Sequence, residues 1–204
     1  YYTYITHILS VSDQLILVID KHQIVSFDCE KFPRDSKVLF VENSEIEQIV
    51  SSSSFDVILF STSDGYLKVI SSKANDHSTC LLSEINLNNN KCQKLLITKE
   101  NGFIVAKTND EIFVFSLNGR VLEKANYSSS FVQAITTVSP KKEDFVFFID
   151  ENNQLNAFEA YRPKSIFPIE SDLPQISSMT LNRDRNVLYL VTYDGNILAI
   201  PDCF

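Results

Sequence analysis

Four pairs of carboxylates stand close together along the chain: Glu45 with Glu47, Asp110 with Glu111, Glu143 with Asp144, and Asp150 with Glu151. Two carboxylates are what hydrolysis of a glycoside needs, one as the acid and the other as base or nucleophile. Every pair falls in a polar stretch between apolar runs, so a solvated turn accounts for each. A serine hydrolase would need a nucleophile, a histidine and a carboxylate. His7, His22 and His77 all lie in the first 80 residues, and no Gly-x-Ser-x-Gly elbow accompanies them. They read as surface or edge histidines. With only four glycines, Gly65, Gly102, Gly119 and Gly195, the chain has no glycine-rich loop to cradle a phosphate, and no nucleotide or other cofactor is implied.

The four cysteines, Cys29, Cys80, Cys92 and Cys203, lie far apart and include no Cys-x-x-Cys pair. They build neither a dense disulfide framework nor a common zinc module. His77, Cys80 and Cys92 supply three ligand types without a fourth, at spacings that match no zinc module. Reduced, partly buried thiols of a cytosolic protein are the simplest account, and no metal site is assigned. Asn126-Tyr127-Ser128 has the form of a glycosylation acceptor, which chance supplies in a chain rich in Asn and Ser.

A chain of 204 residues with 44% apolar and 22% charged residues can bury a substantial core, which excludes disorder. A net charge of -8 opposes a general grip on phosphate backbones, so nucleic acid is not expected as a partner. The densest basic spots, Lys141-Lys142 and Arg183 with Arg185, read as solvated turns. No apolar run is long enough for a membrane-spanning helix, and a start at Tyr1 without a signal-peptide pattern suggests a piece of a longer protein.

The elements that would position any of these side chains repeat. Short apolar segments begin at Ile24, Leu67, Ile112, Leu155 and Ile197, which are 43, 45, 43 and 42 residues apart. That period matches a four-stranded blade of a β-propeller, about 40 to 45 residues. The units run approximately 4–44, 45–87, 91–126, 131–171 and 175–204. Each opens with a mixed apolar and polar segment, the innermost strand: 5–9, 46–50, 92–97, 132–138 and 176–181. A denser apolar run follows at 15–19, 57–60, 103–106, 145–149 and 187–191, as a strand buried on both faces requires.

Hairpins lead into the third strands. Asp64-Gly65 and Asp194-Gly195 carry the glycine that accepts positive φ, whereas Asp20-Lys21-His22, Asn109-Asp110-Glu111 and Glu151-Asn152-Asn153 do not. More polar fourth strands, at 38–41, 80–85, 120–124 and 165–169, suit a solvent-facing edge, and Pro163 and Pro168 agree with that place. Polar clusters at Ser51 to Ser54, Asn75 to Ser78, Asn88 to Asn90 and Ser128 to Ser130 read as loops. The fifth unit supplies three strands only. Either Tyr1 to Tyr4 closes a five-bladed ring, or the five blades are an excerpt of a larger one; the shortness of that segment favours the excerpt.

The turn Asp followed by Gly and an apolar strand, in Asp64-Gly65-Tyr66-Leu67-Lys68-Val69-Ile70 and Asp194-Gly195-Asn196-Ile197-Leu198-Ala199-Ile200, resembles the WD-repeat class of β-propellers. The resemblance covers nearly the whole chain but departs from the pattern, with no Trp and no Gly-His dipeptide to open a unit. That puts in doubt the buried Asp, His, Ser and Trp network of the class. Phe115-Ser116-Leu117-Asn118-Gly119-Arg120 and the stretch from Ile176 to Asp184 are similar to phrases in the carboxy-terminal propeller of BEACH-domain proteins, cytoplasmic factors of vesicle traffic. This resemblance implies a scaffold within a much larger chain, reaching vesicle membranes through other domains.

Two functions of different class remain. A non-catalytic interaction platform would hold a protein or peptide, or an adjacent domain of the same chain, through its loops, and needs no special residues. An enzymatic or small-ligand propeller would need polar groups converging on a central channel. Of the inner-strand candidates Thr6, Glu47, Gln93, Gln133 and Ser177, only Glu47 can act as acid or base. The expectation is therefore an all-β propeller of about five four-stranded antiparallel blades, without catalytic residues and with partner-binding residues not identified.

Overall fold

A computed structural model describes residues 4–31, 36–73, 80–88, 90–182, 184–201 and 203. Every regular element among them is a strand. The first sheet comprises β1 (Ile5–Val11), β2 (Gln14–Ile19), β3 (Gln23–Asp28) and β4 (Ser36–Val41), and the second β5 (Ile46–Ser52), β6 (Val57–Thr62), β7 (Tyr66–Ser71) and β8 (Leu81–Asn86). The third holds β9 (Lys94–Ile97), β10 (Ile104–Lys107), β11 (Glu111–Phe115) and β12 (Val121–Asn126), and the fourth β13 (Phe131–Val138), β14 (Asp144–Asp150), β15 (Leu155–Glu159) and β16 (Phe167–Glu170). The fifth has only β17 (Ile176–Asn182), β18 (Val187–Thr192) and β19 (Ile197–Pro201). Strands follow sequence order within each sheet. Expected loop residues 75–78 and 89, the outer part of the 1–4 segment, His77 and Arg183 lie outside the described residues.

By packing, the chain divides into two compact units, Tyr1–Ile97 with Leu117–Arg120, and Thr98–Ser116 with Val121–Phe204. In the first unit β1 lies against β5 and β5 against β9; in the second β13 lies against β17. Within each unit, then, neighbouring sheets meet along their opening strands. The sheets stack through their faces: in the first unit Val11, Ile16, Val18, Ile24 and Leu39 pack with Ile46, Ile58, Phe60 and Ile70 in one core. In the second, Phe131 and Phe148 stack at 4.0 Å between ring centroids, with Tyr127 edge-on to Phe148 at 5.4 Å. Aromatic rings other than Trp fill this core.

Burial on both faces explains the apolar second strands. β6 and β10 are buried at every position, and β14 at all but one. β18 instead alternates and β19 has no buried residue, in the sheet that lacks a fourth strand. Most strand ends shift by one or two residues from the expected ones, and two strands begin two residues late. β9 begins at Lys94 rather than 92, leaving Cys92 buried ahead of it. β16 begins at Phe167 rather than 165, because Ser165 N donates to Arg162 O in a turn that accommodates Pro163.

The turns divide by backbone handedness. Asp20 and Lys21 both take positive φ, 51° and 61°, which makes a type I′ hairpin without glycine. Tyr4 N donates to Asp20 Oδ1 at 2.8 Å and helps hold that turn. Before Gly65 and Gly195, the hydroxyls of Thr62 and Thr192 donate to Asp64 Oδ1 and Asp194 Oδ1. Those hydroxyls hold both carboxyls below the usual range.

Gly119 and Gly195 have nearly the same φ, +85° and +87°, but different surroundings. A Cβ on Gly119 would sit 3.1 Å from Ile85 Cγ1, whereas one on Gly195 would meet nothing within 4 Å. Gly195→Ala is expected to cost only the left-handed penalty, about 1 kcal/mol, and Gly119→Ala roughly 1 kcal/mol more. Urea unfolding of the two variants checks the order.

Candidate functional site

The carboxylate pairs fall on three sheets, two of them at the opposite ends of β14, and are held separately. Glu45 binds Lys21 Nζ at 2.8 Å, which holds its carboxyl below the usual range. Glu47 occupies a β-bulge on β5 and binds Lys91 Nζ at 2.6 Å. Glu111 binds Lys124 Nζ at 2.6 Å. Asp144 and Asp150 close the two ends of β14. At about 3.3 Å per residue they stand roughly 20 Å apart, well beyond the separation of any glycosidase pair.

Asp150 Oδ1 accepts Asn152 N and Gln154 N, and its Oδ2 accepts the Tyr127 hydroxyl at 3.1 Å. Burial and the neighbouring Asp150 carboxylate push the Tyr127 phenol well above its ordinary range. Asp144 is buried, and its carboxylate gathers five donors: Thr98 Oγ1 at 2.8 Å, the backbone N of Lys99, Glu100 and Asn101, and Asn101 Nδ2. These carboxylates serve as clamps on backbone.

The inner-strand candidates behave in the same way. Thr6, Glu47 and Ser177 each occupy the extra residue of a bulge near the start of its strand, as Val132 does on β13. Thr6 Oγ1 donates to Val18 O and Ser177 Oγ to Val191 O, while Gln133 Nε2 donates to Ser177 O at 2.9 Å. Gln93 lies just before β9. The polar atoms of Thr6, Gln133 and Ser177 are thus directed at strand carbonyls, while Glu47 is held by Lys91.

His7 Nδ1 lies 3.1 Å from Thr6 Oγ1, and His22 Nδ1 lies 3.2 Å from the carbonyls of Glu42 and Ser44. Cys80 and Cys92 are buried, with Sγ donating to Ser71 O and Lys94 O respectively. Burial pushes both thiols up, Cys92 to about 12. Because the thiolate is the nucleophile, iodoacetamide at about pH 8 is expected to label exposed Cys29 and to spare Cys80 and Cys92 until the chain unfolds. Mass spectrometry of the labelled peptides checks this.

Lys107, which carried no signal in the sequence, is fully buried in β10. Its Nζ donates to the carbonyls of Thr108 and Asn109 and lies 5.9 Å from the Tyr127 ring centroid. Burial lowers its pKa. With its protons directed at backbone carbonyls and no exposed surface, it ties a turn to the sheet.

One surface open to a ligand lies on the second unit, along the β9–β10, β13–β14 and β15–β16 connections. Three recesses adjoin there, of about 270, 190 and 310 Å³. The first two share Glu143 and the last two share Tyr161. Tyr161 is 53% exposed and lies 6.2 Å from the Phe103 ring; Pro140 and Phe145 add apolar surface in the first recess and Pro163 in the third.

The frame of this surface is stiff. Asp144 holds residues 98–101, and Phe103 N donates to Thr98 Oγ1. Ser139 Oγ accepts Lys141 N and Glu143 N, fixing a turn in which Lys142 takes φ 63°. Sequence reading treated Lys141-Lys142 as an isolated turn and missed Phe103, Tyr161, Arg162 and Lys164, because only the folded blades bring these segments together.

Asp144→Ala would leave three backbone amides and the Thr98 hydroxyl without their acceptor. A loss of about 2–4 kcal/mol is expected, with Asp144→Asn recovering part of it. Thermal unfolding, with hydrogen exchange at residues 99–101, checks both the size and the location of the effect.

No family model and no curated protein matches the sequence. Solved structures do. The crystal structure of BBS1N in complex with ARL6DN is 13% identical, with a TM-score of 0.75 over 98% of this chain and 66% of that one. The β-propeller domain of Cps50 (Swd1) from Myceliophteria thermophila is 14% identical, with a TM-score of 0.69 over 92% of this chain and 66% of its own. Raptor of Chaetomium thermophilum is 11% identical, with a TM-score of 0.73 over 98% of this chain and 20% of its own. The chain therefore spans less than two thirds of each of these neighbours. Together with the consecutive antiparallel sheets and their adjoining inner strands, the likeness establishes that the chain has the β-propeller fold.

Proposed function

We propose that the chain is a non-catalytic protein-interaction module. The observation that carries this reading is the fate of its polar groups: carboxylates and inner-strand hydroxyls bind backbone or lysines, while a surface of aromatic and mixed-charge side chains lies open at the turns. The BBS1N neighbour is itself seen in complex with a protein, as this reading expects of the fold. Propellers offer rigid turns on which binding residues vary freely.

In this reading the module belongs to a larger ring in a longer protein, supported by its covering only 66% of the BBS1N and Cps50 (Swd1) chains and by the exposed apolar residues Tyr4, Ile5 and Ile8 on the first unit and Tyr193 and Ile197 on the second. An adjacent domain of that protein is one partner available to it. The phrases at 115–120 and 176–184 support the narrower reading as the terminal propeller of a BEACH-type trafficking factor, working in the cytoplasm beside vesicle membranes.

The immobilised chain is expected to recover a protein partner, and charge reversal in turns at one end of the blades to abolish recovery with circular dichroism unchanged. Turnover of a hydrolysable substrate that disappears with Glu47→Gln would replace this reading with the enzymatic one.

A further inference from the structure

We infer that Asn118-Gly119 is a self-modifying site, at which the side-chain amide of Asn118 is lost to attack by the backbone nitrogen of Gly119 and replaced by aspartate or isoaspartate, while the identical pair Asn101-Gly102 is kept intact by Asp144. The chain holds these two Asn-Gly dipeptides and no other. Glycine leaves its own nitrogen unshielded, so an asparagine before it is the one most open to attack on its amide carbon. Both glycines take positive φ, 85° at Gly119 and 67° at Gly102, so backbone handedness does not distinguish them.

Their surroundings do. Asn118 is exposed, and Gly119 is only half-buried, in the turn between β11 and β12. Asn101 also reaches the surface, but its Nδ2 and its backbone N each donate to Asp144 Oδ2 at 2.9 Å, and Gly102 is buried. Turning toward Gly102 would cost Asn101 a charge-assisted hydrogen bond, and conversion would set a second carboxylate against Asp144. In Asp64-Gly65 and Asp194-Gly195 the acyl group is a carboxyl held ionised by a threonine hydroxyl, a poor electrophile, and each glycine N already donates to Thr62 O or Thr192 O.

The reaction needs water alone. Gly119 N gives its proton to solvent hydroxide and attacks Asn118 Cγ; the N–Cγ bond forms, the Cγ–Nδ2 bond breaks, and Nδ2 leaves as ammonia with a proton taken from water. Water then opens the cyclic imide, giving aspartate when the side-chain carbonyl is hydrolysed and isoaspartate when the main-chain carbonyl is. The turn rests on β8, where Ser83 Oγ donates to Leu117 O at 2.8 Å and Gly119 lies against Ile85. Isoaspartate lengthens the main chain by a methylene between those two contacts, so the turn no longer meets both.

The test incubates the chain in warm, mildly alkaline buffer and follows each asparagine by peptide mass spectrometry, reading the amide-to-acid mass change; an endoprotease that cuts before aspartate but not isoaspartate separates the products. Asn118 is expected to convert about tenfold or more faster than Asn101. Its rate should rise with pH, since the glycine nitrogen must lose its proton. In guanidinium chloride, which removes the clamp with the fold, the two should convert at similar rates. Asp144→Ala, where circular dichroism shows it folded, should bring Asn101 toward the rate of Asn118, and Asn118→Gln, whose longer side chain closes the ring poorly, should remove the change at that site. The isoaspartyl chain should melt below both the fresh chain and the Asn118→Asp variant, which carries the charge without the added methylene.

An Asn118 that stays an amide, or an Asn101 that converts as fast in the folded chain, overturns the inference. So does an Asp144→Ala chain that folds and still protects Asn101. Where that variant does not fold, the guanidinium comparison decides, and a rate ratio that folding does not raise overturns the inference. Melting equal to that of Asn118→Asp overturns the loss of the Ser83 and Ile85 contacts.

Discussion

Burial of the second, third and fourth sheets on both faces is the constraint on which the rest of this structure depends. A strand with neighbours above and below has no wet side, so β6 and β10 carry no exposed residue and β14 carries none either. Each fully buried Ile, Leu or Phe contributes about 1.5–3 kcal/mol, and the cores at Phe60 and Phe148 concentrate many of them. Where stacking is incomplete, the pattern fails: β19 has the apolar composition of a third strand but no buried position.

That constraint pushes polar chemistry to strand ends, where it is used up. Asp144 and Asp150 sit at opposite ends of one strand and collect donors from the turns, since an unsatisfied amide beside a buried sheet would be costly. Thr6 and Ser177, on equivalent bulges, return their hydroxyls to the adjacent strand. Polar residues that resemble catalytic candidates in the sequence are thereby made structural. What stays free is the outer tier of side chains on the turns, and a stiff frame with a varied surface is suited to recognition.

The blade period, the strand order and both glycine hairpins were legible because they are local. Two-residue alternation, dense apolar runs and positive-φ glycines leave their mark within a few residues of sequence. The bulges at Thr6, Glu47, Val132 and Ser177 were not legible, because an extra residue shows only against the partner strand. Nor was the glycine-free type I′ turn at Asp20-Lys21, held in part by a contact sixteen residues away. The Asp144 clamp spans more than forty residues, and composition treated its carboxylate as a solvated turn.

By itself, then, the sequence determined an all-β repeat of stacked sheets, because hydrophobic periodicity encodes which face of each strand avoids water. Only the tertiary structure decided which charges are spent and which are available. Glu143 and Asp144 are adjacent and chemically alike, yet Asp144 is buried under five donors while Glu143 lines an open recess. The same holds for Lys107, sealed in a strand, and Lys142, exposed on a turn. The difference lies in neighbours brought from distant blades, since a side chain's solvation and partners are set by the folded surroundings rather than by its place in the chain.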